Sequence, residues 1–170
     1  MTTSVEQIYQ LLDKWAARCS ELQYVHYTAG NIYARRNYSL GFPVVVLSAT
    51  AGTSLFASIQ THPSTFALVA TGLVSMSVAV LASLQTFLRF SERAEQYRMT
   101  GVRYGVIKRR IEQMSVKTMV PDAETEQFLD NIREEIDTLA KDAPGVPGSI
   151  YRKAKAQMHF AEHDQTESVI

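Results

Sequence analysis

Few side chains in this 170-residue sequence have a type and spacing that could support catalysis or metal binding. His159 and His163 lie four residues apart, which would place both imidazoles on one helical face, as a metal site requires. Their only close carboxylates are Glu162 and Asp164, near the polar end of the chain. We therefore expect no metal site. The single cysteine, Cys19, rules out a disulfide within the chain and is typical of a buried core residue.

Motifs for nucleotide binding or hydrolysis are missing from the sequence. It contains no P-loop, no dinucleotide-binding glycine pattern, no nucleophile elbow and no zinc-protease helix. The chain has 17 Lys and Arg against 17 Asp and Glu, and its longest basic run is Lys108-Arg109-Arg110. Such a balance disfavours direct binding of nucleic acid. We expect a protein that is not an enzyme and has no catalytic residues and no cofactor; His26 is placed on a polar part of the first helix.

The charged residues are segregated along the chain. No Lys, Arg, Asp or Glu occurs from Asn37 to Leu88, a stretch of 52 residues. The polar run 60–65 divides it as a turn would, leaving apolar segments at 40–59 and 66–88. As helices these would reach about 30 and 35 Å, which matches a hydrocarbon core of about 30 Å. Two buried helices of a soluble protein are the alternative, but the remaining 118 residues could scarcely form the surrounding shell.

The flanking charges predict how the two segments would be oriented in a membrane. Arg35 and Arg36 precede the first segment, Arg89 and Arg93 follow the second, and the connecting turn has no Lys or Arg. Positive residues favour the cytoplasmic side, so both termini are expected there, with these four arginines at the membrane interface. The prediction is a multi-pass protein whose first partner is the lipid bilayer.

Outside the charge-free stretch, apolar residues recur at steps of three and four. This spacing predicts cytoplasmic helices at about 4–36, 89–119, 123–141 and 150–160, before a disordered tail at 161–170. The fold class is an all-α membrane protein. A single domain over 1–160 would combine a two-helix transmembrane hairpin with long cytoplasmic helices packed against a third. Gly101 and Gly105 could form a hinge or allow close helix packing, and we favour packing.

A two-helix hairpin is too thin to enclose water, so any conduit would need a homo-oligomer. Small residues let helices pack closely in lipid. The candidate packing residues are Ser48, Gly52, Ala67, Thr71, Ser75, Ala79 and Ser83. The candidate pore-lining residues form a hydroxyl row with i+4 spacing, namely Thr50, Ser54 and Ser58, for which packing is a slightly favoured alternative.

Several segments together resemble a known family. They are a tyrosine-rich helix that ends YARRNY, a first apolar segment reading PVVVLSATAG, the run LRFSERAEQYR followed by GVRYGVIKRRIE, and a later APGVP. The sequence resembles the SLATT domain family over about residues 6 to 158. It departs from the family at Tyr97, where many members are expected to have a histidine.

The resemblance implies a membrane effector of bacterial antiphage and conflict systems, located in the inner membrane. Such an effector is thought to form pores when a partner senses infection. The partners implied are products of neighbouring genes: a nucleotidyltransferase that makes a nucleotide signal, a SLOG or TIR sensor, or a reverse transcriptase. A nonconducting anchor that docks a defence enzyme at the inner membrane is the alternative function.

Overall fold

The computed structural model describes residues 5–58, 64–116 and 122–167, with side chains omitted for 54–58 and 161–167. Within this part of the chain the protein is helical and has no strand, which confirms the all-α prediction. There are five helices, α1 (Val5–Ser58), α2 (Thr65–Leu88), α3 (Phe90–Ser115), α4 (Ala123–Asp142) and α5 (Gly148–Glu167).

The segments predicted at 4–36 and 40–59, expected to run almost continuously into each other, form the single helix α1, which continues through Pro43. The helix boundaries differ from the predicted ones at two places. α3 ends at Ser115 instead of residue 119. α5 continues to Glu167, where a disordered tail was expected from residue 161, because that segment contains the good helix formers Ala, Glu and Gln. Pro121, predicted to stop α3, lies outside the described residues.

Local capping explains where α2 and α4 begin. The Ser64 hydroxyl accepts a hydrogen bond from the Ala67 N–H at 3.3 Å. The Asp122 carboxylate accepts one from the Thr125 N–H at 2.9 Å, and this hydrogen bond lowers the pKa of Asp122. Both side chains satisfy a backbone donor that the first turn of a helix leaves without a partner.

The chain divides into two compact units, and the first combines Met1–Asn31 with Glu95–Ile170. Its apolar core is built mainly from residues that recur at steps of three and four along α1, α3 and α4. α5 joins this core through Ile150 and Ala154. The Tyr151 hydroxyl also donates a hydrogen bond to Glu21 Oε1 of α1 at 2.6 Å. The central core residues are Ile8, Leu12, Cys19, Tyr104, Ile107, Ile111, Ile132 and Leu139.

α3 approaches α1 closely at the two glycines of α3. A Cβ atom on Gly101 would lie 3.3 Å from the backbone oxygen of Gln23 and 3.5 Å from the Tyr27 ring. A Cβ on Gly105 would lie 2.6 Å from Nε2 of the Gln23 side chain. Both glycines lie within a continuous helix, so their observed role is close packing.

The second unit is Ile32–Ala94. It contains residues 32–58 of α1 and all of α2, which we call the helix pair. The Tyr33 and Phe90 rings lie 6.0 Å apart, and the Gln85 amide lies 3.0 Å from where a Cβ on Gly41 would stand. From Tyr33 to Gly41 the chain runs forward along α1, while their partners run backward from Phe90 to Gln85. The two helices of the pair are therefore antiparallel.

Candidate membrane-embedded surface

α2 exposes an apolar surface along its whole length. Its 24 residues contain no Lys, Arg, Asp or Glu, and none of them is buried. Leu73 is 62% exposed and Met76 is 68% exposed. Soluble monomers rarely leave a contiguous apolar surface of this kind uncovered.

Length and composition identify one candidate membrane span among the described residues. It lies in the run Thr65–Ser115, which comprises α2 and α3, and its most apolar 18-residue window has a mean hydropathy of 2.1 with 0% of the window buried. A core helix of a soluble protein would be mostly covered by its neighbours, whereas this window is not. The observation is compatible with a location in a membrane.

The two faces of α2 differ in exposure within the helix pair. The face that is partly covered contains Val74, Val78, Leu81 and Gln85. The predicted packing row lies mostly on the other face, since only Thr71 of that row is partly covered. Its exposed members are Ala67, Ser75, Ala79 and Ser83. The helix pair therefore leaves most of the small-residue row available to another molecule.

Hydroxyl groups in the helix pair bond to their own helices. Thr71 Oγ1 donates to the Ala67 carbonyl at 2.9 Å, and Ser83 Oγ donates to the Ala79 carbonyl at 2.8 Å. Thr50 Oγ1 donates to the Leu47 carbonyl at 2.9 Å. These bonds satisfy the hydroxyl donors without water, so such side chains can face lipid, another helix or a lumen.

The proposed pore-lining row is described only in part. Thr50 is exposed, while the side chains of Ser54 and Ser58 lie outside the described residues. Ser48 is exposed as well, and a Cβ on Gly52 would meet no atom of the described residues within 4 Å. The described part of the chain thus encloses neither residue, and the assignments to lining and packing stay predictions.

Arginine residues collect at one end of the helix pair. Arg35, Arg36, Arg89 and Arg93 are all exposed. Arg89 forms an ion pair with Glu92 at 3.3 Å, and the guanidinium carbon of Arg36 lies 5.5 Å from the centre of the Tyr33 ring. These four residues lie beside the apolar surface, as expected of positive charges at a membrane interface.

An open groove of about 690 Å³ lies between α3 and α4 in the first unit. Its floor includes Val106 and Leu139, and an ion pair between Arg110 and Glu135 crosses it. Carboxylates outnumber guanidinium groups along the lining, so the groove is a poor site for a phosphorylated ligand. The charged lining residues are Arg103, Arg110, Glu134, Glu135 and Asp142.

His26 is buried, which corrects its placement on a polar part of α1. It is 4% exposed, and its ring centre lies 5.6 Å from that of Tyr104 and 5.9 Å from that of Tyr97. Its Nδ1 has no hydrogen-bond partner among the described residues, and burial lowers the pKa of His26. The spacing of three and four that links Cys19 to Leu22 continues to His26, and this signal could have revealed its burial.

Cys19, His159 and His163 are the other side chains whose type could support catalysis or metal binding. Burial raises the pKa of the Cys19 thiol to about 11, so the thiolate that would react is disfavoured. His159 is exposed on α5, and the side chain of His163 lies outside the described residues. In the part of the chain that the structure describes, no three His, Cys, Asp or Glu side chains are grouped to hold a metal ion.

Comparisons of the chain with protein-family models, with curated proteins and with solved structures found no match.

Proposed function

We propose that this chain is an oligomeric pore-forming membrane effector, triggered by a cytosolic partner or nucleotide signal. The observation that carries the proposal is the uncovered apolar surface of α2, a helix of 24 residues in which no residue is buried. Lipid and further copies of the chain are the surroundings that suit such a surface. In this proposal α2 and residues 40–59 form a two-span hairpin with both termini in the cytoplasm.

The arrangement of α2 supports assembly of several copies. Val74 and Val78 are partly covered, whereas Ser75 and Ala79 remain exposed. Small residues on the exposed face would let a second copy approach closely, and close packing is what drives helix association in lipid. Closed symmetry would then produce a ring.

The hydroxyl row on α1 is the proposed lining of that ring. Thr50 is exposed and bonds to its own helix, so it can change neighbours without leaving a donor unsatisfied. A lumen lined by Thr50, Ser54 and Ser58 would have no charged constriction. It would be weakly selective and would depolarise the membrane rather than choose an ion.

The resemblance to the SLATT family supports the antiphage context and the trigger. Regulation would act through the first unit, where a partner that binds one helix arrangement better than another shifts their populations. The mixed charges of the groove between α3 and α4 favour a protein partner over a free nucleotide. The partner would be a nucleotidyltransferase, a SLOG or TIR sensor, or a reverse transcriptase encoded nearby.

The second candidate function is a nonconducting anchor that docks a defence enzyme at the inner membrane. The same exposed surface of α2 supports membrane insertion in either case. The two functions differ in whether the triggered protein lets ions pass.

Membrane potential in a bacterial host distinguishes these functions. The chain is expressed with and without its neighbouring genes, and a potential-sensitive dye and a membrane-impermeant dye are followed after infection. A pore predicts depolarisation only when the neighbouring genes are present. Cells that stay polarised while the partner moves to the membrane would establish the anchor instead.

Substitutions test the assignment of the lining. Thr50→Leu and Ser54→Leu should each reduce the conductance several-fold, because an apolar leucine side chain would exclude water from the lumen. The matched control is Ser77→Leu, which alters an exposed hydroxyl of α2 outside the row and should leave conductance unchanged. If all three variants conduct like the original chain, the assigned row does not line the pore.

A further inference from the structure

The charges of the two units have opposite signs. The second unit contains four arginines and one glutamate, which leaves a net charge of +3, and the rest of the neutral chain therefore carries −3. We call the four arginines Arg35, Arg36, Arg89 and Arg93 the arginine collar. No other Lys or Arg occurs in that unit, so its positive charge is confined to the collar.

The collar lies at a single end of the helix pair. The contact between the Tyr33 and Phe90 rings, 6.0 Å apart, brings residues 33–36 of α1 beside residues 89–93. All four arginines are exposed. Glu92 is the only carboxylate that pairs with any of them among the described residues, and it pairs with Arg89. Most of the collar's positive charge is therefore available to a ligand.

Arg36 is held in place before any ligand arrives. Its guanidinium carbon lies 5.5 Å from the centre of the Tyr33 ring, within the range of a cation–π interaction. Tyr33 is 6% exposed and packs on Phe90, so the ring under the guanidinium is itself fixed. Such support reduces the entropy that Arg36 would lose on binding an anion.

Exposed aromatic and apolar residues continue directly from the collar. Tyr38 is 74% exposed, Phe42 is 72% exposed and Phe87 is 83% exposed. Aromatic rings beside arginines, followed by an apolar surface, match the order of headgroup, interface and hydrocarbon in a bilayer. In a bilayer, the anions that border the hydrocarbon core are the headgroup phosphates of the phospholipids.

We propose that the arginine collar binds the headgroup phosphates of anionic phospholipids, with Arg36 on Tyr33 as the preformed centre of the site. The proposal rests on insertion of the helix pair into a membrane, which is part of the proposed function, but it does not depend on conduction. Each arginine near an anionic surface is expected to raise the preference for anionic lipid about fivefold.

The lipids that remain bound to the protein test this site. The full chain is reconstituted in vesicles of equal phosphatidylcholine and phosphatidylglycerol and is then extracted in mild detergent. Native mass spectrometry measures the ratio of the two lipids retained. The original chain should be enriched in phosphatidylglycerol, and millimolar inorganic phosphate should not displace it, because the acyl chains also contribute.

Matched variants show which residues form the site. Arg36→Gln should lower the enrichment about fivefold, from the same estimate for one arginine. Tyr33→Leu should lower it without changing the charge, and Arg36→Lys should have an intermediate effect. The control is Arg133→Gln, which removes an equal charge from the exposed surface of α4. Circular dichroism verifies that each variant is folded.

Three results would overturn the proposal. They are equal retention of both lipids by the original chain, an equal loss in Arg36→Gln and Arg133→Gln, or displacement of phosphatidylglycerol by inorganic phosphate. A chain that inserts and prefers phosphatidylglycerol without conducting would refute the pore and leave the collar standing. A chain that conducts without a lipid preference would refute the collar alone.

Discussion

His26 is the one buried ionisable imidazole among the described residues, and it has an unusual environment. The side chain is 4% exposed, and its closest ring neighbours are Tyr97 and Tyr104 of α3. Burial raises the pKa of Tyr104, so its hydroxyl stays uncharged and offers no negative charge to a protonated imidazole. Burial therefore favours the neutral form of His26 in the folded first unit.

Acidification is expected to destabilise the first unit through His26. Because burial lowers the folded-state pKa below the value of about 6.5 in an unfolded chain, the unfolded state binds the proton first. The contribution is complete above pH of about 6.5 and is lost as the pH falls toward the folded pKa, by at most about 1.4 kcal/mol per unit. Urea unfolding in detergent, followed by circular dichroism from pH 7.5 to 5.5, measures this slope.

Replacement of the imidazole provides the comparison. His26→Phe keeps an aromatic ring between the tyrosines and should flatten the slope, whereas His159→Phe on the exposed face of α5 should not. A slope that survives in His26→Phe would show that another group controls the pH response.

The two glycines of α3 should respond differently to alanine. Gly101→Ala would press a Cβ against the backbone oxygen of Gln23 at 3.3 Å, so α3 would have to move away from α1. We expect a loss of about 1 kcal/mol in the free energy of unfolding. At Gly105 only the mobile end of the Gln23 side chain must move, so alanine should stabilise the helix, by up to about 1 kcal/mol. Urea unfolding of both variants measures the difference, and an equal effect would contradict the tighter approach of the α1 backbone to Gly101 than to Gly105.

At the scale of the helices, the junction between α2 and α3 stands out. Arg89 ends α2 with φ 46° and ψ 41°, and it is the only non-glycine residue with positive φ among the described residues. The Arg93 N–H then bonds to the Arg89 carbonyl at 3.1 Å as α3 begins. A left-handed residue therefore separates two helices that would otherwise form one run.

Replacing Arg89 by glycine or by alanine tests whether the break between α2 and α3 requires a left-handed residue at this position. Both variants remove the same charge and the same pair with Glu92, but only glycine adopts the left-handed region without a steric cost. Arg89→Gly should be more stable than Arg89→Ala by about 1 kcal/mol in thermal unfolding of the detergent-solubilised protein. Equal stability would mean that the two helices join into one when the side chain is short.

Across the whole molecule, the helix pair presents two unlike sides. Val78 is partly covered, and Ala79, the next residue, is exposed. This difference gives a two-fold contact between copies a clear signature, because such a contact through the small-residue row would bring two Ala79 positions together.

Cysteine crosslinking in membranes tests this arrangement. On mild oxidation, Ala79→Cys should form disulfide-linked dimers in high yield, and Val78→Cys should form few. The native Cys19 is a suitable silent background, because it is buried in the first unit and its thiol pKa is raised to about 11. Dimers that form as readily at position 78 as at 79 would place the contact between copies on a different face.

Much of this architecture follows from the sequence alone, because the signals involved are local. The charge-free segment 66–88 predicts α2 to within one residue at its start, since Ser64 caps the helix and the charged residues resume at Arg89. The apolar steps of three and four predict the buried faces of α3 and α4, because a helix with polar neighbours has one side to bury.

Other features were decided by the tertiary structure. An apolar helix such as α2 has no polar side to indicate its orientation, so only the contact of Gln85 with Gly41 and its neighbours selects the covered face. The burial of His26 depends on Tyr97 and Tyr104, which lie more than 70 residues further along the chain. The groove between α3 and α4 likewise arises from how distant segments pack, and no local spacing specifies that packing.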